Sequence, residues 1–422
     1  MIRSTVVSLL VLSFLSACAH DSTESDDTSA DSALAAHRFV AHAKVRGAAS
    51  STLHWRSGDP EPALGAERGF MSKAATFELY GICDVLLGKG AWRVTGLTET
   101  LDTEWDHMSM LGTRYVVHVD GTCSADFATR AEYVDRLFVA AGGPGVDTPE
   151  NATSFAQDAL IALPASAWRD VGAKLAALPA GSSLFMYGAF NALQGALAWN
   201  ANRNDVLANV IALATSHADR EAFVGVYALH AFGSPGGVTE SRQLEATSGL
   251  LDALAVTRDT PFVADAGVGQ TLRSYTLNAI ANTHPCRVHS DTCFGRPSLA
   301  ALNTRIVRLA PASLATSARP EAAWVLAHAG EAALSFAEHE LGKRAPAATD
   351  GATVLYDMSF FDQREHVSVP TLERALAVGS PVQQRGFVSV LRAIASDTTR
   401  SDAALARTAV DAFCPTHADV CD

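Results

Sequence analysis

The sequence predicts an α+β protein: a small N-terminal antiparallel β-domain followed by an all-α solenoid. Three observations predict it. Between about residues 37 and 143 apolar residues alternate with polar ones, the period of strands. From about residue 147 they recur every three to four positions, the period of helices that bury one face. The composition is 48% hydrophobic but only 7% aromatic, so the core is built from small aliphatic side chains in close contact, as between helices.

In the β region, Phe39, Ala41, Ala43 and Val45 alternate with polar neighbours. Residues 76–87 (TFELYGICDVLL), 92–95 and 115–119 (YVVHV) are further strand candidates, separated by turn signals at Gly58-Asp59-Pro60, Gly88-Lys89-Gly90 and Asp120-Gly121. Residues 131–141 form a closing helix or a last strand. Gly142-Gly143-Pro144-Gly145 then punctuates the chain as a domain boundary.

The helical region, 147–422, divides into candidate helices at 151–163, 165–178, 183–199, 203–216, 219–232, 239–257, 269–282, 298–310, 319–328, 331–341, 370–379, 382–396 and 400–413. Breaks such as Arg319-Pro320 and Ser380-Pro381 place proline where a helix tolerates it, at its first turn. Several helices share a phrase. Tyr227-Ala228-Leu229-His230-Ala231-Phe232 aligns with Tyr275-Thr276-Leu277-Asn278-Ala279-Ile280, and Trp324-Val325-Leu326 and Val390-Leu391 echo it. The leucines at 229, 277, 326 and 391 are 48, 49 and 65 residues apart. A period near 45–50 with two helices per unit is that of HEAT-like solenoids. The long last interval is expected to contain an inserted loop or short strand near 345–369. A non-repetitive bundle of alanine-rich helices is the alternative.

The N-terminal 17 residues have the layout of an export signal: Met1-Ile2-Arg3 is basic and residues 4–14 are apolar, too short a run to span a bilayer. Leu15-Ser16-Ala17-Cys18 resembles the lipobox of bacterial lipoproteins. The resemblance implies cleavage before Cys18, lipidation of that cysteine, and a mature chain of 405 of the 422 residues. Residues 18–36 then read as an acidic, disordered tether, with five carboxylates and no lysine or arginine after the cysteine. The implied address is the bacterial cell envelope. Ala19 stands where an aspartate favours inner-membrane retention in some bacteria, so the outer membrane is expected.

With Cys18 lipidated, six of the seven cysteines remain: Cys83, Cys123, Cys286, Cys293, Cys414 and Cys421. An even number in an exported chain suggests disulfides, and six cysteines allow 15 pairings. Locality suggests Cys83–Cys123, Cys286–Cys293 and Cys414–Cys421. On loop length alone the first would contribute about 4 kcal/mol and each short one about 2.5 kcal/mol.

A formal net charge of −13 excludes nucleic acid as a partner and excludes electrostatic attachment to anionic lipid. No G-x-S-x-G elbow, P-loop or G-x-G-x-x-G fingerprint occurs. The nearest approach to a zincin helix is Glu338-His339-Glu340-Leu341-Gly342-Lys343, where Lys343 replaces the second histidine that a metal would need. His328 and Glu331 lie nearby. His284, Cys286, His289 and Cys293 could supply four zinc ligands, although a disulfide clip like that of Cys414 and Cys421 is the favoured reading. Glu99, Asp102, Glu104, Asp106 and His107 form an acidic run without calcium-loop spacing. Phe185, Tyr187, Phe190, Trp199, Phe223, Tyr227 and Phe232 fit helix interfaces better than a groove for an apolar ligand.

The order of β-domain and helical solenoid resembles the N-terminal module of large lipid transfer proteins, the vitellogenin group. Gly121-Thr122-Cys123 with Phe127, residues 271–280 and residues 324–330 carry the likeness. It implies that architecture with apolar-ligand or partner binding but no lipid-carrying cavity, since the family's large lipid-enclosing sheets have no counterpart here, and it makes lipid or apolar-ligand binding the alternative function. The expected function is that of a membrane-anchored, non-catalytic binding or scaffolding protein. Its expected partners are the membrane, through the lipid anchor, and another envelope protein, with an apolar ligand as the alternative. A metal-dependent hydrolase is the enzymatic alternative. No cofactor or metal is expected.

Overall fold

The computed structural model describes residues 39–55, 65–105, 113–179, 182–234, 238–259, 271–287, 294–359 and 366–421. Cys18, the export signal and the tether lie outside the described residues. The chain opens with strand β1 (Phe39–Trp55), helix α1 (Gly65–Leu87), strands β2 (Trp92–Trp105) and β3 (Thr113–Phe127), and helix α2 (Arg130–Ala140). The sheet is antiparallel with order β1-β3-β2, so β1 and β2 run parallel on either side of β3 and α1 is the crossover between them. Phe39 faces Phe127 and Ser51 faces Tyr115 across β1 and β3. Trp92 faces Ala125 across β2 and β3, with an irregularity between Thr95 and Thr98.

Alternation decides the sheet's two faces. Ala41, Ala43, Val45, Val117, Val119 and Cys123 are buried under α1, while His42, Lys44 and Arg46 point to solvent. At Gly47 the strand lies so close on α1 that a Cβ would overlap the Ala75 carbonyl oxygen, so glycine is required there.

Residues 76–87, expected as a strand, are helical. Their β-forming side chains argue for a strand in isolation, but Met71, Ala75, Leu79, Ile82 and Leu86 recur at helical spacing and are all buried against the sheet. Tertiary burial outweighs local propensity there. Residues 131–141 fall mostly in α2, which resolves the earlier choice as a helix.

The remaining α-helices are α3 (Glu150–Ile161), α4 (Ala167–Ala176), α5 (Gly188–Trp199), α6 (Arg203–Ala214), α7 (Asp219–Gly233), α8 (Glu240–Val256), α9 (Leu272–Thr283), α10 (Pro297–Leu309), α11 (Arg319–Ala327), α12 (Gly330–Leu341), α13 (Ala347–Ser359), α14 (Val369–Val378), α15 (Pro381–Ser396), α16 (Ala403–Phe413) and α17 (Ala418–Cys421). Odd-numbered helices from α1 to α15 pack each on the next in one row, and even-numbered helices from α2 to α16 form a second. Contacts confined to near neighbours in sequence define a solenoid of two helices per unit. The central odd row is buried on several sides, as at Phe223, Val224, Val226, Ala228 and Leu229 of α7. Even-row helices such as α16 bury only a stripe, Ala406 and Ala409.

The phrase leucines Leu229, Leu277, Leu326 and Leu391 are fully buried, one in each of α7, α9, α11 and α15. The 65-residue interval contains a full unit rather than an inserted loop or strand, because α13 lies inside it and contributes Leu355. Gly351, read as a loop residue, is a packing residue. A Cβ there would come within 2.8 Å of the Ala337 carbonyl oxygen on α12, so glycine lets the two helices approach. One hydrophobic core runs from Ala41 on β1 to Cys421 on α17, and it continues across the Gly142-Gly143-Pro144-Gly145 turn. Residues 38–422 accordingly form one compact unit, with the sheet covering the first helix of the odd row.

Candidate functional site

Cys83 lies on α1 and Cys123 on β3. Their Cα atoms are 5.9 Å apart and their sulfurs are joined, so the bond ties the crossover helix to the central strand. Cys414 and Cys421, with Cα atoms 5.6 Å apart, close the last turn of the chain. Cys286 is also disulfide-bonded, and Cys293 and His289 lie outside the described residues. In the acidic run, Glu99 pairs with Arg68 of α1 at 2.9 Å and Asp102 with His118 at 3.3 Å. Asp106 and His107 lie outside the described residues, and Glu104 lies on β2.

The zincin-like run divides among separate surroundings. Glu338 accepts a hydrogen bond from the Thr371 hydroxyl at 2.8 Å, His339 is exposed, and Glu340 pairs with Lys343 at 2.7 Å. Glu331 accepts from the Gly295 backbone at 2.6 Å. Among the described residues no three histidine, cysteine, aspartate or glutamate side chains come together as a metal-binding group. Of the flagged aromatics, Phe190, Phe223 and Phe232 are buried. Phe185 is 53% exposed yet packs edge to face on Phe190 at 5.4 Å and against Tyr227 at 5.0 Å, whereas Trp199 is 74% exposed. Tyr227 and Tyr275, equivalent positions of two repeats, stack with ring centroids 6.2 Å apart.

The two histidine clusters singled out separately meet in the core. His284 ends α9 and His328 ends α11, and their rings pack edge to face at 5.7 Å, both buried. The Cys286 backbone N–H donates to His284 Nδ1 at 3.2 Å, so Nε2 carries the proton and donates to Asn303 Oδ1 at 3.1 Å. Burial pushes the His284 imidazolium down to a pKa of about 4, outweighing the Asn303 hydrogen bond that favours it. His284 is therefore a neutral, water-excluded side chain that joins two repeats. His328 Nδ1 donates to the Trp324 carbonyl at 2.7 Å.

Trp324 carries that core pair to the surface. It lines an open groove of about 610 Å³ formed by three successive odd-row helices. Arg319, Pro320, Glu321 and Trp324 come from α11; Thr353, Tyr356 and Asp357 from α13; Ser380, Val382 and Gln383 from the start of α15. The walls are fixed by polar contacts. Arg319 pairs with Asp350 at 2.6 Å, tying α11 to α13. Ser380 and Gln383 form a capping box, and the Gln383 side chain also donates to the Thr353 hydroxyl at 3.0 Å, tying α15 to α13. Tyr356 packs edge to face on Phe387 at 6.2 Å and rests over Gly386, where a Cβ would come within 2.6 Å of its ring.

Two carboxylates face this framework. Burial alone raises the Asp357 pKa to about 7. Glu321 Oε2 is buried with no hydrogen-bond partner among the described residues. A concave site with convergent polar groups and a displaced pKa is where binding is first sought. The sequence reading missed it because α13, one of its three walls, was read as a loop or short strand. The available signal was Asp357 set among Val354, Leu355 and Met358, all buried.

No described helix is long and apolar enough to cross a membrane. Comparison of the chain with protein-family models, with curated proteins and with solved structures finds no match.

Proposed function

We propose that this chain is a non-catalytic binding or scaffolding protein of the bacterial cell envelope, anchored through a lipid on Cys18, that recognises another protein through its odd row of helices. The observation that carries the binding reading is the groove, because it is built from equivalent helices of three successive units. Solenoids recognise partners in this way, with side chains from adjacent repeats lining one continuous surface. The walls are held by an ion pair, a capping box and a hydrogen bond, so little order has to be imposed on binding. The lipid anchor and the outer-membrane address are supported by Leu15-Ser16-Ala17-Cys18 and Ala19.

Selection of a random peptide library on the full chain tests the binding reading. Peptides are expected that lose about tenfold in affinity on Trp324→Ala or Tyr356→Ala, the effect of truncating an aromatic anchor. Absence of any peptide that distinguishes these variants from the wild type would contradict it. The anchor has its own test: Cys18→Ser is expected to move the protein from the membrane to the soluble fraction, and an unchanged distribution would remove the anchor.

A further inference from the structure

We infer that the groove takes a cationic side chain, a lysine or arginine of an extended peptide segment, held by the Glu321 and Asp357 carboxylates against the Trp324 and Tyr356 rings. The inference rests on the binding reading above and specifies its ligand. Charge is the first argument. Of the three charged residues lining the groove, Arg319 is already paired with Asp350, whereas neither Glu321 nor Asp357 has an ion-pair partner among the described residues. An arriving anion would meet two carboxylates, and an arriving cation would meet two carboxylates without a counter-ion.

The aromatic lining is the second argument. Trp324 and Tyr356 place aromatic rings, which attract ammonium and guanidinium groups, in the lining of the groove, and the apolar stem of lysine or arginine suits the remaining walls, Pro320 and Val382. The third is volume. About 610 Å³ accommodates one long side chain with the backbone on either side of it.

The state of Asp357 agrees with this. Its carboxyl is raised to about 7 by burial alone, with no charge-pairing contribution to offset the loss of water. Burial is the sole cause of that shift, so among the described residues no cation of the helices packed on α13 acts on it, the exposed Arg385 of α15 included. On α12, Glu338 is bonded to Thr371 and Lys343 just beyond its end is paired with Glu340. On α14, Glu373 is exposed and Arg374 is turned to Thr371. On α11, Arg319 is held by Asp350 and Glu321 is itself acidic, and α15 contributes the neutral Ser380 and Gln383. A bound ammonium or guanidinium would restore the charged carboxylate and release its proton.

The test is equilibrium binding of acetylated hexalysine, hexaglutamate and the diamine cadaverine to the full chain at physiological ionic strength. Hexalysine is expected to bind and hexaglutamate not to. Glu321→Gln and Asp357→Asn are each expected to weaken hexalysine about tenfold, the value of one partly desolvated charge contact. Hexalysine binding that is the same in both variants would reduce the effect to attraction by the chain's net negative charge and overturn the inference. Cadaverine binding as tightly as hexalysine would overturn the assignment to a peptide. If library selection yields groove-dependent peptides that lack lysine and arginine, the groove binds peptides and only this inference falls. Asp357→Asn removes a buried charge rather than a contact, so it is expected to fold, and thermal melting checks this.

Discussion

The His284–His328 pair and the Glu321–Asp357 groove lie on either side of Trp324, and they use burial to opposite ends. In both, loss of water disfavours the charged form: it lowers the His284 pKa to about 4 and raises that of Asp357 to about 7. His284 answers with a full set of neutral partners, Asn303 and the Cys286 N–H, and is closed to solvent. Asp357 has no such partner among the described residues and lines an open groove. A satisfied buried group holds the fold, while an unsatisfied group at a surface is poised for a ligand.

The largest effect expected from this contrast is the acid sensitivity of His284. Its folded pKa lies below the ordinary 6.5, so the unfolded chain takes the proton first. The stability that neutral His284 contributes is complete above about pH 6.5 and falls by about 3 kcal/mol as the pH drops to about 4. Urea unfolding across that range measures the loss. His284→Gln is expected to flatten the profile, and an unchanged slope would show that His284 is not the neutral group described.

Asp357 has the opposite sign. Its folded pKa lies above the ordinary 3.8, so its favourable contribution is present at low pH and is lost as the pH rises through about 7. Asp357→Asn is therefore expected to stabilise the protein at pH 8 by about 2 kcal/mol, allowing for partial solvent screening, and to change little at pH 4. Gain of stability together with loss of hexalysine affinity is the expected signature of a binding group maintained against stability. The smallest effect is expected at Gly386, where alanine would push the Tyr356 ring from its seat. Overpacking of this kind costs about 1 kcal/mol at a site open on one side. Melting and hexalysine binding should both report it, and an unaltered affinity would separate Tyr356 from the site.

The fold was legible wherever local signals and tertiary contacts agree. Arg319-Pro320 and Ser380-Pro381 start helices at the positions where proline is tolerated, and the recurring leucines do mark odd-row helices. It was illegible where they conflict. Residues 76–87 carry strand-forming side chains but have a sheet to lie on, and helical burial prevails. Residues 347–359 carry Gly351 and β-branched residues, yet the glycine serves close approach to α12. The candidate site was harder to read than the fold. Trp324, Tyr356 and Gln383 are brought together only by the stacking of repeats, so no short motif contains them. His284 and His328 were each conspicuous in the sequence, but nothing local shows that they share one core contact.

The most direct test is the affinity of hexalysine for the wild-type chain and for Asp357→Asn between pH 6 and pH 8. Lysine stays charged throughout, so a change in the wild type that is absent from the variant reports the Asp357 carboxylate. With that group titrating near 7, the wild type is expected to bind about tenfold more tightly at pH 8 than at pH 6, and Asp357→Asn to bind equally at both. The same pH dependence in both proteins, or none in either, would contradict the account.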